Sequence, residues 1–320
     1  MVNMRVSVIA TVMNEGESIR RLMDSLAAQS RLPDEVVIAD GGSTDSTVEI
    51  LEQYIDQLPL MIVISPGSNI SQGRNAAIKT ASGPLIAVTD AGVALDQKWL
   101  EELIRPYDER GALMVGGWFE ADAYSEFEIA MGATVLPSVQ EIDPDRFLPS
   151  SRSVSFKKSD WETVGGYPEW LDFSEDLVFD RALYALNGPF HFAPKAVVYF
   201  RPRSDIRVFA KQYYFYARGD GRANLWPKRY AVRYATYLLL LPLLLRFIWL
   251  GKWFGWAGLA IGAGAYCSRP AKRLFPMTQG WSPTARLRVF SLIPIIRLVG
   301  DIAKMIGYPV GVFWRLSRRR

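Results

Sequence analysis

The chain has one cysteine, Cys267, and one histidine, His191. One of each excludes a disulfide framework and a Cys/His zinc site within a single chain. Internal repeats and low-complexity tracts are absent. Met1 to Ala10 lacks the basic start, long apolar stretch and small-residue cleavage site of a secretory signal, so the first domain is expected to stay in the cytoplasm. An excess of one charge sign is also missing, since 37 Lys and Arg face 33 Asp and Glu for a net +4. That small surplus is concentrated between Arg201 and Arg233, around Arg269 to Arg288, and in Arg318, Arg319 and Arg320. Those positions flank apolar runs, as cytoplasmic membrane anchoring requires, whereas a nucleic-acid surface would spread its cations over a folded face. No nucleic-acid partner is expected.

The 320 residues are 49% hydrophobic and 22% charged, unevenly distributed. Charge is interspersed up to about residue 230, and long apolar runs follow. The division expected is a large domain over 1–230 and a membrane region over 231–320. Tyr234 to Leu250 is apolar apart from Arg246, and Trp253 to Cys267 is a second apolar run after a break at Gly251-Lys252. Each is a little short of the roughly 20 residues that cross a bilayer. With Trp249, Trp253 and Trp256 at the interface, they read as a two-span hairpin over 234–267. Leu287 to Trp314 carries Arg297, Asp301, Lys304, Pro294 and Pro309 among apolar residues and reads as an interfacial or re-entrant helix, with a third span as the alternative.

In the first domain, Arg5 to Met13, Glu35 to Asp40, Met61 to Ser65 and Pro84 to Thr89 read as buried strands. Helical spacing between them covers Glu17 to Gln29, Thr47 to Ile55 and, opening at Arg74, the stretch to Thr80. Strands alternating with helices predict a Rossmann-like, mostly parallel α/β sheet whose ligands lie beyond the carboxyl ends of the strands. Asn14, Glu15, Asp40, Gly73, Arg74, Asn75 and Asp90 should therefore converge on one rim. Trp118 to Arg152 shows no clean period and is expected to form part of an acceptor wall. Trp161 to Pro168 reads as a helix end and turn, and Ser174 to Asp180 opens a further helix with acids in its first turn.

Five pieces recur in a fixed order: Thr11-Val12-Met13-Asn14-Glu15, Ala39 to Asp45, Gly73-Arg74-Asn75, Thr89-Asp90-Ala91-Gly92 and Ser174-Glu175-Asp176. As an ordered set over about residues 4 to 230 they strongly resemble the family 2 glycosyltransferases of GT-A fold. Tyr216 to Ala223 ahead of the apolar runs resembles that family's membrane-attached branch. The resemblance implies a GT-A catalytic domain followed by a C-terminal α-helical membrane region. Its activity would be inverting transfer of one sugar from a nucleotide-sugar to a lipid-linked or glycan acceptor at the cytoplasmic face of the cell membrane. The Gln-x-x-Arg-Trp signature of processive synthases is absent, which favours single-sugar transfer.

A nucleotide-sugar needs acceptors for base and ribose hydrogens and cations or backbone amides for its diphosphate. Asp40 and Glu15 suit the first need, although Asp40 would serve equally as a helix cap. Arg74, expected at a helix start, suits the second. The resemblance adds Thr11, Asn14, Gly42, Ser43 and Gly73 to this donor set and gives Asp40 the nucleoside contact. It also makes Asp90 the first acid of an Asp-x-Asp signature that holds Mg²⁺ or Mn²⁺ on the diphosphate. Gly92 replaces the second acid, and Asp96 is the next carboxylate downstream. An acceptor hydroxyl must lose its proton to a positioned base. The resemblance assigns that role to Asp176, with Glu175 orienting it, whereas helix electrostatics alone would also account for two acids in a first turn. His191 reads as structural. Where the family often has a histidine near the end of the next strand, this chain has Val198-Tyr199-Phe200-Arg201. Arg218, Asp220 and Arg222 are expected to be a lid or acceptor-phosphate clamp, or ordinary basic membrane flanking. Two other readings remain: sugar-phosphate nucleotidyl transfer, which lacks its Gly-rich cationic loop here, and a catalytically silent membrane scaffold of the same fold.

Overall fold

The structure is a computed structural model that describes residues 4–318. It contains two compact units. The first comprises the residues up to Asp122 with Val139–Arg201, the second Ala123–Ser138 with the residues from Pro202 onward. This division falls at 201/202, where sequence placed it near 230.

In chain order the elements are β1 (Val6–Val12), α1 (Ile19–Ala27), β2 (Glu35–Asp40), α2 (Thr47–Glu52), β3 (Leu60–Ile64), α3 (Ile70–Thr80), β4 (Leu85–Val88), β5 (Val93–Leu95), α4 (Trp99–Arg110), β6 (Met114–Ala121), α5 (Glu126–Val135), β7 (Val154–Lys157), α6 (Lys158–Val164), α7 (Glu175–Asn187) and β8 (His191–Phe200). Then come α8 (Ile206–Arg222), α9 (Pro227–Ala235), α10 (Leu241–Trp249), α11 (Trp253–Met277) and α12 (Pro283–Ser317).

The first unit is built on one eight-stranded sheet in the order β3-β2-β1-β4-β7-β6-β8-β5. The β3-β2-β1-β4 half is parallel, as is the β6–β8 pair; β7 runs antiparallel to both neighbours, and β5 antiparallel to β8. The parallel half is the part that sequence made legible, because strands covered on both faces read as continuous apolar runs. Val6, Val8, Ile9 and Ala10 of β1 are fully buried, as are Val36, Val37 and Ile38 of β2. Helix α1 buries Ile19, Leu22, Met23 and Leu26, the i, i+3, i+4, i+7 stripe, against this sheet. The carboxyl ends of β1, β2 and β4 point the same way, which brings the loops after Val12, Asp40 and Val88 to one rim.

Three local expectations are corrected. Helix α3 opens four residues before Arg74, because Asn69 and Gln72 form a capping box there. Gly73 and Arg74 therefore lie within the helix, and Gly73 is needed for close packing: a Cβ there would come 2.9 Å from Thr11 Cγ2. Helix α2 ends at Glu52, and its first turn is held by Asp45, whose Oδ1 accepts from Thr47 N, rather than by a Ser or Thr side chain. The stretch expected to be an irregular acceptor wall contains β6 and the capped helix α5, and Ala123–Ser138 belongs to the second unit.

In the second unit, α9 and α10 join through a π-helical turn at Thr236–Leu240 into one helix, Pro227–Trp249. At 23 residues and a mean hydropathy of 1.5, it is the one helix among the described residues long and apolar enough to cross a membrane. Helix α11 returns alongside it, with the position of a Cβ on Gly258 2.7 Å from Leu244 Cδ2. Helix α12, which covers the segment read as an interfacial or re-entrant helix, runs unbroken for 35 residues through Pro294 and Pro309. It packs on α8 through Gly307, Gly311 and Gly221, where an added Cβ would come 2.1–2.3 Å from a backbone oxygen of the facing helix.

Candidate active site

The rim of the first unit is organised by backbone and side-chain bonds between its loops. Asn14 sits in the left-handed region at φ 54°, which Asn tolerates better than most residues. Its Oδ1 accepts from Thr44 N at 2.9 Å, and its own N–H donates to Ser43 Oγ at 2.8 Å. Asp40 is 1% exposed; its Oδ2 accepts from the N–H groups of Gly42 and Ser43, both at 2.9 Å, and its Oδ1 accepts from Ser43 Oγ at 2.5 Å. Asp40 thus caps its own loop and not helix α2. Thr47 Oγ1 accepts from the N–H groups of Glu15 and Gly16, locking the first loop to the second.

Arg74 ties this rim to the acids of α7. Its Nη1 donates to Glu175 Oε1 at 2.6 Å and its Nη2 to Asp90 Oδ1 at 2.8 Å, with the Arg side chain only 3% exposed. The guanidinium lies over the Tyr167 ring, 5.3 Å from its centroid, and Tyr167 stacks on Phe179. Two carboxylates hold the guanidinium charged despite burial. Arg74 is therefore an internal cross-link of the site, not the free diphosphate ligand at a helix start that sequence suggested. Asn75 is equally committed: its Oδ1 accepts from Tyr167 N and Trp161 Nε1, and its Nδ2 donates to Tyr167 O, fixing the turn between α6 and α7.

Ser174 precedes α7 at φ 64°, a conformation that costs a non-glycine residue energy and often marks a functional turn. It sets Glu175 and Asp176 in the first turn of α7. Asp176 Oδ1 accepts from Leu177 N at 2.8 Å. Loss of water around Asp176 raises its pKa against the lowering influence of Arg74; Glu175 is raised too, by burial first and then by the charge of Asp176. One turn along, Asp180 is fully buried and neither of its oxygens makes a hydrogen bond. Burial followed by the charge of Asp176 holds its carboxyl well above the usual range.

Sequence reasoning did not find Arg152. Its Nε lies 3.6 Å from Asp90 Oδ2 and its guanidinium sits 4.8 Å from the centroid of Phe200, the residue near which the family often has a histidine. Only tertiary structure brings residue 152 to residue 90. Asp96 does not fill the place of the missing second acid, since its Oδ1 accepts from Lys98 N at the start of α4. Gly92 is at φ 68°, and the atom that a Cβ there would meet is Glu15 Oε2, at 3.3 Å. No group of three or more His, Cys, Asp or Glu side chains among the described residues is arranged to hold a metal ion. Asp90 is a hard oxygen donor of the kind that holds Mg²⁺ together with substrate phosphates, although here its Oδ1 accepts from Arg74 and its Oδ2 lies 3.6 Å from Arg152. His191 starts β8, paired with Val115, consistent with a structural role. In the second unit, Asp220 Oδ2 accepts from Tyr230 Oη, Arg218 lies over Phe215 and Arg222 over Trp314.

The sequence profile described as Glycosyl transferase family 2 matches residues 7–157. The chain is 32% identical over 235 residues to the glycosyltransferase AglE of Haloferax volcanii, covering 69% of this chain and 74% of that protein. It is also 32% identical over 193 residues to the poly(ribitol-phosphate) beta-N-acetylglucosaminyltransferase TarS of Staphylococcus aureus, there covering 57% of this chain but only 32% of the relative. Among solved structures, S. aureus TarS 1–349 superposes with a TM-score of 0.55 at 19% identity, covering 98% of this chain and 92% of that one. The mannosyltransferase PcManGT of Pyrobaculum calidifontis, solved with GDP-Man and Mn²⁺, gives 0.56 at 16% identity, covering 99% and 88%. These neighbours share the GT-A fold. An ordered motif set, a rim built from it and a relative matched over most of both chains together establish that this protein belongs to family 2 of the glycosyltransferases and is a transferase enzyme.

Proposed function

We propose that the protein transfers a single sugar, with inversion, from a nucleotide-sugar to a lipid-linked or glycan acceptor at the cytoplasmic face of the cell membrane. The observation that carries this reading is the buried chain Asp90–Arg74–Glu175, which fixes the loop of the donor rim to the turn that presents Asp176. Asp176 is the base: its carboxylate takes the proton of the attacking acceptor hydroxyl as the new glycosidic bond forms opposite the leaving diphosphate. Glu175, clamped by Arg74, keeps Asp176 oriented. Asp40, Ser43 and Gly42 with Asn14, Thr11 and Gly73 shape the nucleoside end, and Arg152 is the cation facing the diphosphate beside Asp90. Mg²⁺ or Mn²⁺, held by Asp90, would offset the charge of the departing nucleoside diphosphate.

The region from 231 onward serves as the membrane anchor, supported by the apolar helix Pro227–Trp249 and by the basic residues flanking it. Arg218, Asp220 and Arg222 serve the acceptor phosphate. The test is a panel of UDP-, GDP- and dTDP-sugars offered to the full chain in detergent with Mg²⁺, Mn²⁺ or a chelator. One donor should be turned over, and chelation should reduce turnover at least tenfold. Absence of turnover with every donor and either metal would contradict the reading.

A further inference from the structure

The second unit contains a cleft of about 500 Å³ between the α9–α10 helix, α11 and α12. This lies within the range of about 300–1,000 Å³ typical of small-ligand sites. Its two ends differ in chemistry. Along α9 and α10 its lining passes from Arg229, Arg233 and Tyr237 to Leu240, Leu241 and Leu244. Along α11 it passes from Gly258, Leu259 and Gly262 to Tyr266. The helices are antiparallel, with Leu244 against Gly258 and the Tyr237 hydroxyl 2.9 Å from that of Tyr266, so the polar ends coincide and so do the apolar ends.

At the polar end, Asp301 is already taken. It accepts from Arg233 Nε at 2.7 Å, Tyr266 Oη at 2.7 Å and Tyr237 Oη at 2.9 Å. Three arginines line the cleft against this one acid. Arg229 and Arg297 make no ion pair among the described residues; they lie over Trp226 and Tyr266, 4.2 Å and 4.1 Å from the ring centroids. Arg297 Nε is buried without a hydrogen-bond partner. Arg229 is exposed and Arg297 half-buried, so it is the buried Nε of Arg297 that is left costly without an acceptor, and planar donors with no acid are the usual means of gripping a phosphate. Single-phosphate chemistry at one end of an apolar slot describes an amphiphile.

We propose that this cleft binds an anionic phospholipid of the bilayer, with its phosphate on Arg297 and Arg229 and an acyl chain along Leu240, Leu244 and Leu259. The proposal rests on the reading of Pro227–Trp249 as a membrane helix. It places the cationic end of the cleft at the cytoplasmic surface, where anionic headgroups are concentrated. The lipid would brace the three helices by neutralising charge that the protein leaves unpaired.

Gly262 supplies a clean test. It lines the cleft, and a Cβ there meets nothing within 4 Å, so Gly262→Leu starts in open space, puts bulk into the slot and improves helix propensity. Gly264 is equally open but does not line the cleft, so Gly264→Leu is the control. The full chain in maltoside detergent is titrated with dioctanoyl phosphatidylglycerol, dioctanoyl phosphatidylcholine, farnesyl phosphate and inorganic phosphate, following the thermal unfolding midpoint. Phosphatidylglycerol should raise the midpoint saturably, with an apparent affinity at least tenfold above the other three. Gly262→Leu and Arg297→Gln should each weaken it at least tenfold, and Gly264→Leu should leave it unchanged. A Gly262→Leu variant that keeps the wild-type response, or phosphatidylcholine acting equally well, overturns the site. Preference for farnesyl phosphate overturns the occupant. The midpoint shift produced by a nucleotide-sugar is read in parallel, so failure of the donor reading is seen separately from failure of the lipid site.

Discussion

At the scale of single residues, the site depends on one buried cation serving several acids. Removing one partner of a buried charge pair typically costs about 3–5 kcal/mol, because the remaining charge is left without compensation. Arg74→Met strands Glu175 and leaves Asp90 with Arg152 at 3.6 Å, so a loss of about 3–5 kcal/mol is expected in urea unfolding of the full chain. Arg74→Lys should recover only part of it, since an ammonium cannot present the two separately directed donors that reach Oε1 of Glu175 and Oδ1 of Asp90. Asp180 behaves oppositely. Its folded-state pKa is raised, so the folded protein holds that proton more tightly than the unfolded chain, and stability from this group is present at low pH and lost as pH rises through the folded value. Asp180→Asn removes the loss. Its unfolding midpoint should exceed that of the wild type at pH 8 and match it at pH 4. For Asp176, whose pKa is also raised, the base is neutralised as pH falls. The acid limb of kcat/KM should therefore lie above the ordinary aspartate value of about 4. A limb at or below that value would remove Asp176 as the base. The places of Asp40, Asp90, Glu175 and Asp176 at strand ends and a helix start were legible in sequence, whereas their expected roles came from the family resemblance. Arg152 and Asp180 were not legible: one reaches the site across 62 positions of chain, and the other looks like any helical acid until burial is known.

At the scale of elements, strand ends were located well and helix starts less well. The parallel strands announce themselves through apolar runs, whereas α3 begins at an Asn–Gln capping box whose polar residues resemble loop. Helix α5 was invisible because its apolar residues show almost no one-sided pattern; Ala130, Met131, Gly132 and Ala133 are all buried in succession. The α8–α12 contact was also hidden, since its recognition elements are glycines rather than large side chains. Gly307 and Gly311 stand one turn apart and let two backbones touch, the small-residue packing used between membrane helices. Gly311→Leu must push the helices apart, as its Cβ alone would come 2.1 Å from Arg218 O. A fall of several degrees in thermal midpoint is expected, against little change for Gly264→Leu. Equal midpoints for the two variants would show that the close contact does not hold the helices together.

At the scale of the whole molecule, one unit is built on the eight-stranded GT-A sheet and the other is helical and exposes apolar surface. Their sequences differ as their solvents would: charges interspersed on the first, and in the second exposed large apolar side chains such as Leu239 at 69% and Trp249 at 84% exposure. Patches of that kind on a chain in water mark an interface with a membrane or another protein. The full chain should therefore remain with membranes after a high-salt wash and require detergent for release, whereas recovery in the wash would contradict the anchor. The proposed mechanism gives the nucleotide-sugar to the donor rim and the acceptor's proton to Asp176. It is tested most directly by Asp176→Asn in the full chain, measuring donor affinity by calorimetry and sugar transfer on the same preparation. Donor affinity within about threefold of the wild type with transfer reduced by roughly 10²–10⁴ is the result predicted for loss of a general base; transfer at the wild-type rate with donor still bound would contradict it.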